Sequence, residues 1–111
     1  MILVIGHLSF TGGEGPGILP EQSFRFASFS DLDGPLLQAV RPDMVVSALI
    51  DEHFDAVDMA RRLTDLGYAG PYRALSTPLP RPGIVKAEVR GAAPGLDFDL
   101  IIVRHDPERP G

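Results

Sequence analysis

Three short runs, apolar throughout except for Ser47, constrain this chain more than any other feature: Met1-Ile2-Leu3-Val4-Ile5, Met44-Val45-Val46-Ser47-Ala48-Leu49-Ile50 and Leu100-Ile101-Ile102-Val103. A strand with one wet face alternates apolar and polar residues. A run that stays apolar at successive positions suits a strand buried on both faces, as in a parallel sheet. Two further segments read as strands. Ser23 to Phe29 alternates phenylalanine with polar or small residues, and Tyr72 to Ser76 reads as a short strand.

Helical patterns lie between these runs. Ser30, Asp31 and Asp33 are candidate N-caps, Pro35 fits a first turn, and Leu36, Leu37 and Val40 form a stripe that Pro42 ends. Asp55 caps the clearest helix, with Asp58 completing an imperfect capping box and Val57, Ala60, Leu63 and Leu66 on one face. Arg61 and Arg62 read as its solvent side, and Gly67 suits the position after its end. Pro82 starts a third helix carrying Ile84, Val85, Val89 and Ala92, stopped by Pro94-Gly95. Strands alternating with helices imply crossover connections and a parallel sheet. The expected fold is therefore α/β.

The stretch from Gly6 to Pro20 breaks that alternation. It holds Gly12, Gly13, Gly15, Pro16 and Gly17. Helix is disfavoured there by about 1 kcal/mol per glycine and about 3 kcal/mol per interior proline, so a long loop is expected. Thr77 to Pro82 reads as a stiff, extended connector. With 111 residues the chain fits one domain, placed at 1–104 with a frayed polar tail at 105–111.

Composition excludes several classes. The net charge of −5 and the lack of a basic run argue against nucleic-acid binding, which needs Lys and Arg on phosphates. With no cysteine there are no disulfides and no thiolate metal sites. The apolar N-terminus stops at Gly6 without a basic flank, so it reads as a core strand rather than a signal peptide or membrane span. A cytoplasmic location is expected by default.

The middle of the chain resembles the receiver domain of two-component response regulators. Arg41-Pro42-Asp43-Met44-Val45-Val46-Ser47-Ala48-Leu49 is similar to the family's lead into its third strand. The helix at Asp55 to Leu66, the turn Leu66-Gly67-Tyr68-Ala69-Gly70-Pro71 into Tyr72 to Ser76, and the helix and strand from Val85 to Val103 follow the same plan. The likeness spans residues 36 to 104. It implies a flavodoxin-like, five-stranded parallel sheet of order 2-1-3-4-5, here with the first helix replaced by the Gly/Pro loop and the last helix missing.

The resemblance also implies sites, and most are degenerate. The phosphoacceptor aspartate falls at Ala48, and Gly6-His7 stands where the family's metal-holding acids follow the first strand. Ser76, with Thr77 beside it, matches the phosphoryl-contacting hydroxyl, and Arg104 matches the basic residue after the fifth strand. A phosphoaspartate needs a carboxylate nucleophile and a metal to neutralise charge. Phosphorylation at this site is not expected, and neither are catalytic residues, a metal or a cofactor.

Ligands of such sheets sit beyond the carboxyl ends of the strands. That rim collects His7, Asp51, Glu52, His53, Ser76, Thr77, Arg104, His105 and Asp106. Imidazole beside carboxylate could hold a metal or move protons, but polar residues fill edge loops in any case and no ligand spacing is present. The Gly-rich loop matches neither G-x-G-x-x-G nor G-x-x-x-x-G-K-[ST], so it reads as a wrapping loop rather than a phosphate cradle. Ser47 reads as a core hydroxyl, and Phe24, Phe26 and Phe29 read as core rings.

The leading expectation is a non-enzymatic, receiver-like interaction domain in signal transduction. The sheet face without helices would be covered by Leu8, Phe10, Ile18 and Leu19, by a second copy in a homodimer, or by another protein. The alternatives are a small-molecule or nucleotide sensor at the rim, and a small enzyme using His7, His53 or His105.

Overall fold

The computed structural model describes residues 1–6 and 23–103. The Gly/Pro loop expected after Gly6, the missing closing helix, the tail at 105–111, and the positions His7, Arg104 and His105 lie outside the described residues.

The elements are β1 (Ile2–Ile5), β2 (Phe24–Ala27), a 3-10 turn (Phe29–Asp31), α1 (Gly34–Val40), β3 (Met44–Ala48), α2 (Ala56–Asp65), β4 (Pro71–Ser76), α3 (Pro82–Ala92) and β5 (Asp97–Ile102). All five strands form one parallel sheet in the order β2-β1-β3-β4-β5. The α/β class and strand order expected from the sequence are those found.

Local chemistry fixes the helix starts. The Asp33 carboxylate accepts from Leu36 N at 2.9 Å and caps α1, with Pro35 in its first turn. Asp55 and Asp58 exchange side chain-to-backbone hydrogen bonds at 3.0 and 3.1 Å, a full capping box on α2. Proline at the start of α3 needs no amide hydrogen there, and that helix has no side-chain cap. Gly67 follows α2 with φ of 78°, the left-handed conformation that suits glycine.

Alternation along the strands sorts side chains onto two faces. Leu3, Ile5, Val45, Tyr72, Ala74 and Phe98 face the helices and pack with Met59, Ala60 and Leu63 of α2 and Val89 of α3, with Leu36, Leu37 and Val40 of α1 at the margin. Ile2, Val4, Val46 and Leu75 face the other way, joined by Phe24, Met44, Ile101 and Val103. Among the described residues no helix packs on this second face. Its centre is nevertheless out of water, with Val4 and Val46 fully buried. Every residue of β1 is buried, as a strand between two neighbours and two apolar layers must be. Each such side chain contributes about 1.5–3 kcal/mol.

Three expectations are corrected. β3 stops at Ala48; Ile50 lies beyond it, bridged to Asp55 and 75% exposed. β2 stops at Ala27, so Phe29 belongs to the 3-10 turn, and Phe26 is 53% exposed rather than core. Arg62 is not a solvated arginine. Its guanidinium lies 4.4 Å from the centroid of the Phe29 ring and donates to Leu32 O at 2.9 Å. It ties α2 to the 3-10 turn. Arg61 is exposed, as expected. Among the described residues no helix is long and apolar enough to cross a membrane.

Candidate functional site

The carboxyl ends of β1, β2 and β3 and the turns that follow them enclose a cavity of about 560 Å³. Its lining comes from Gly6 after β1, from Phe26 and Ala27 of β2 with Ser28, Phe29 and Ser30 behind it, and from Asp51, His53 and Phe54 after β3. Strand order creates it. β1 lies between β2 and β3, so segments distant in sequence converge on Gly6.

Gly6 is the floor, and only glycine fits. Its φ is 92°, and a Cβ there would stand 2.7 Å from Asp51 Oδ2 and 2.8 Å from Phe54 Cζ. The missing side chain lets the Asp51 carboxylate and the Phe54 ring lie against the backbone. Asp51 N donates to Phe54 O at 2.8 Å, and Asp51 Oδ1 accepts from His53 N at 3.2 Å. The His53 ring is exposed and its Nε2 is 3.9 Å from Glu52 Oε1.

The other wall is held from behind. Ser28 Oγ accepts from Asp31 N at 3.2 Å, capping the 3-10 turn, and lies 3.0 Å from Ser30 Oγ. Phe29 stacks on Phe54 with centroids 5.0 Å apart and an interplanar angle of 22°. Arg62 covers Phe29 and is anchored on Leu32 O. Among the described residues the lining holds one carboxylate, one imidazole and two hydroxyls, and neither Lys nor Arg.

The rim residues named from sequence divide. Asp51 and His53 line this cavity; Ser76 and Thr77 do not. Ser76 Oγ donates to Thr77 O at 2.7 Å, and Ser76 O accepts from Val103 N at 2.7 Å, so this corner is closed on its own backbone. Ala48 ends β3 and pairs with Leu75, presenting a methyl group where the resemblance places a carboxylate. Among the described residues no three His, Asp or Glu side chains stand together as metal ligands would.

Sequence reasoning placed none of Ser28, Ser30 and Phe54 in a site, and read Ser30 only as a candidate N-cap. Their signal is positional: each follows the carboxyl end of a strand, where ligands of this sheet type collect. Ser47, read as a core hydroxyl, is one. It is fully buried, donates to Ala48 O at 2.8 Å and lies 2.6 Å from the Tyr72 phenol oxygen. Burial holds that phenol well above the usual tyrosine range. Comparison of the chain with family models, curated proteins and solved structures finds no match.

Proposed function

We propose that this chain is a receiver-like regulatory domain of the cytoplasm that acts by protein contact and is not phosphorylated at position 48. The observation that carries the reading is Ala48 at the carboxyl end of β3, in a sheet of order β2-β1-β3-β4-β5. Phosphoryl transfer to protein needs a nucleophilic oxygen and a cation beside it. A methyl group supplies neither a nucleophile nor a ligand. Asp51 is the nearest acid along the chain on the carboxyl side, but it is placed against Gly6 and Phe54, in the turn beyond the strand.

The partner in this reading is a second copy. Among the described residues all three α-helices pack on one sheet face, and the other face is apolar. Because Val4 and Val46 are already buried within one chain, the second copy meets the margin of that face, where Phe26, on the same face of β2 as Phe24 by alternation, is 53% exposed. Apolar surface of that kind contributes about 25 cal/mol per Å² when covered.

Two measurements test the reading. Intact-mass analysis after treatment with acetyl phosphate and magnesium is expected to find no added phosphoryl group; addition at Asp51 overturns it. Light scattering coupled to sizing at micromolar concentration is expected to give a dimer; a monomer removes the second copy from the proposal.

A further inference from the structure

Among the described residues β5 ends the sheet, so one side of its backbone has no strand beside it. The ladder to β4 says which groups lie on that side. Val103 N donates to Ser76 O, with Ser76 and Ile102 in register. Backbone groups alternate in direction along a strand. The odd-numbered residues of β5 therefore turn theirs toward β4, and Phe98, Leu100 and Ile102 turn theirs outward.

A free edge is a template for pairing with another chain. This one is suited to it, because Leu100, Ile101 and Ile102 are successive half-buried aliphatics of good strand propensity. Two of its outward groups are already taken, each by a side chain of the same molecule. Arg90 of α3 donates to Phe98 O at 3.0 Å, and Asp99 Oδ1 accepts from Leu100 N at 2.8 Å. Phe98 O and Leu100 N are consecutive rungs that an added strand would need, parallel or antiparallel.

Lys86 completes the arrangement. Phe98 and Leu100 turn their side chains into the helix layer, and Ile101 and Val103 belong to the other face. Alternation puts Asp99 away from the helices. Lys86 stands on α3, in the helix layer, yet its Nζ lies 3.0 Å from Asp99 Oδ1. The ion pair therefore passes around the rim of the sheet, where a neighbouring strand would lie about 4.8 Å from β5. Lys86 and Arg90 are one helical turn apart, so α3 sends two cations to the same edge.

We propose that Lys86, Arg90 and Asp99 close the β5 edge to strand addition and so confine association of this chain to its other surfaces. Pairing at β5 requires both side-chain hydrogen bonds to break and the ion pair to move aside. The inference goes beyond the regulatory reading and does not rest on the second copy placed at the apolar sheet face.

The test opens the edge in the full chain. Arg90→Ala/Asp99→Ala removes one charge of each sign and leaves the net charge at −5. Light scattering coupled to sizing follows it and the unaltered chain from micromolar to millimolar concentration. The double variant is expected to keep its far-ultraviolet circular dichroism and to gain at least about twofold in mass over the unaltered chain, reversibly on dilution. Hydrogen exchange of the outward Ile102 amide is expected to slow as it associates. At low concentration Asp99→Ala alone is expected to speed exchange of the Leu100 amide by at least about tenfold. Should the double variant not fold, Arg90→Ala and Asp99→Ala singly carry the same sizing test. A folded variant that keeps the unaltered chain's mass throughout overturns the inference. So does association that leaves Ile102 exchange unchanged, or Leu100 exchange indifferent to Asp99. The unaltered chain's own mass reads the second copy, and only the difference between variant and unaltered chain reads the edge, so the two proposals fail separately.

Discussion

The Ser47 hydroxyl and the Tyr72 phenol meet 2.6 Å apart inside the helix-side core, on neighbouring strands β3 and β4. Ser47 donates its one proton to Ala48 O, so the phenol donates to Ser47. Removing either partner is then unequal. Tyr72→Phe loses one hydrogen bond and is expected to cost about 1 kcal/mol, whereas Ser47→Ala strands a buried phenol and costs about 1–3 kcal/mol. Urea denaturation of both variants checks this. A Tyr72→Phe/Ser47→Ala double variant should be no worse than Ser47→Ala alone.

Gly6 and Gly67 have similar backbone angles, φ 92° and 78°, but different surroundings. A Cβ at Gly67 meets nothing within 4 Å, while one at Gly6 meets Asp51 and Phe54 at under 3 Å. Gly67→Ala is expected to cost about 1 kcal/mol, the backbone strain alone. Gly6→Ala adds a collision with a ring and a carboxylate, and about 3 kcal/mol or more is expected. Thermal unfolding of the two variants gives the comparison.

Arg62 joins α2 to the 3-10 turn by a ring contact and a hydrogen bond. A lysine there keeps the charge but loses the flat surface against Phe29 and the directed N–H on Leu32 O. Arg62→Lys is expected to lose about 1 kcal/mol and Arg62→Ala about 1–2 kcal/mol. The Phe29 wall of the cavity should loosen in both, which proton line widths of the Phe29 and Phe54 rings would report.

What the sequence made legible follows from burial. β1 and β3 stand out because strands buried on both faces are apolar at nearly every position, Ser47 alone excepted, and α2 stands out because Asp55 and Asp58 mark its start chemically. The strand order entered through the resemblance, since no local pattern encodes which strand lies beside which. The cavity depends on that order: Ser28 and Asp51 line one space because β2 and β3 flank β1 on either side. Arg62 was misjudged for the same reason. Its helical position is at the margin of the apolar stripe, and the carbonyls that claim it lie 30 and 33 residues away in sequence. Phe26 was misjudged because alternation says which residues share a face, not how far the covering layer extends.

Asp99 on edge strand β5 pairs with Lys86 of α3 at 3.0 Å. The lysine hydrogen bond, helped by the Leu100 amide, holds the Asp99 carboxyl below the usual carboxylate range. A lowered carboxyl pKa contributes stability that is present above the unfolded value, about 3.9, and lost as pH falls through the folded one. Both side chains are partly exposed, at 34% and 47%, so the gain at neutral pH is expected to be only about 0.2–1 kcal/mol. Lys86→Met should lose that much at pH 7 and nothing at a pH below both values. Urea midpoints across the acid range would follow it.

The two tyrosines, the only ones in a chain without tryptophan, make the alkaline limb readable. Burial pushes the Tyr68 phenol up to about 12, with Asp43 adding to it, and raises the Tyr72 phenol further. Tyr68 also donates to Pro71 O at 2.9 Å, a bond its ionised form cannot make. Both groups hold their protons more tightly folded than unfolded. Their contribution is therefore intact below the unfolded value near 10 and lost as pH rises through the folded ones. Stability is expected to fall steadily above about pH 10, with less slope in Tyr68→Phe. Tyrosinate absorbance of the folded chain should rise at higher pH than in denaturant; coincident titrations would refute the burial assigned to both phenols.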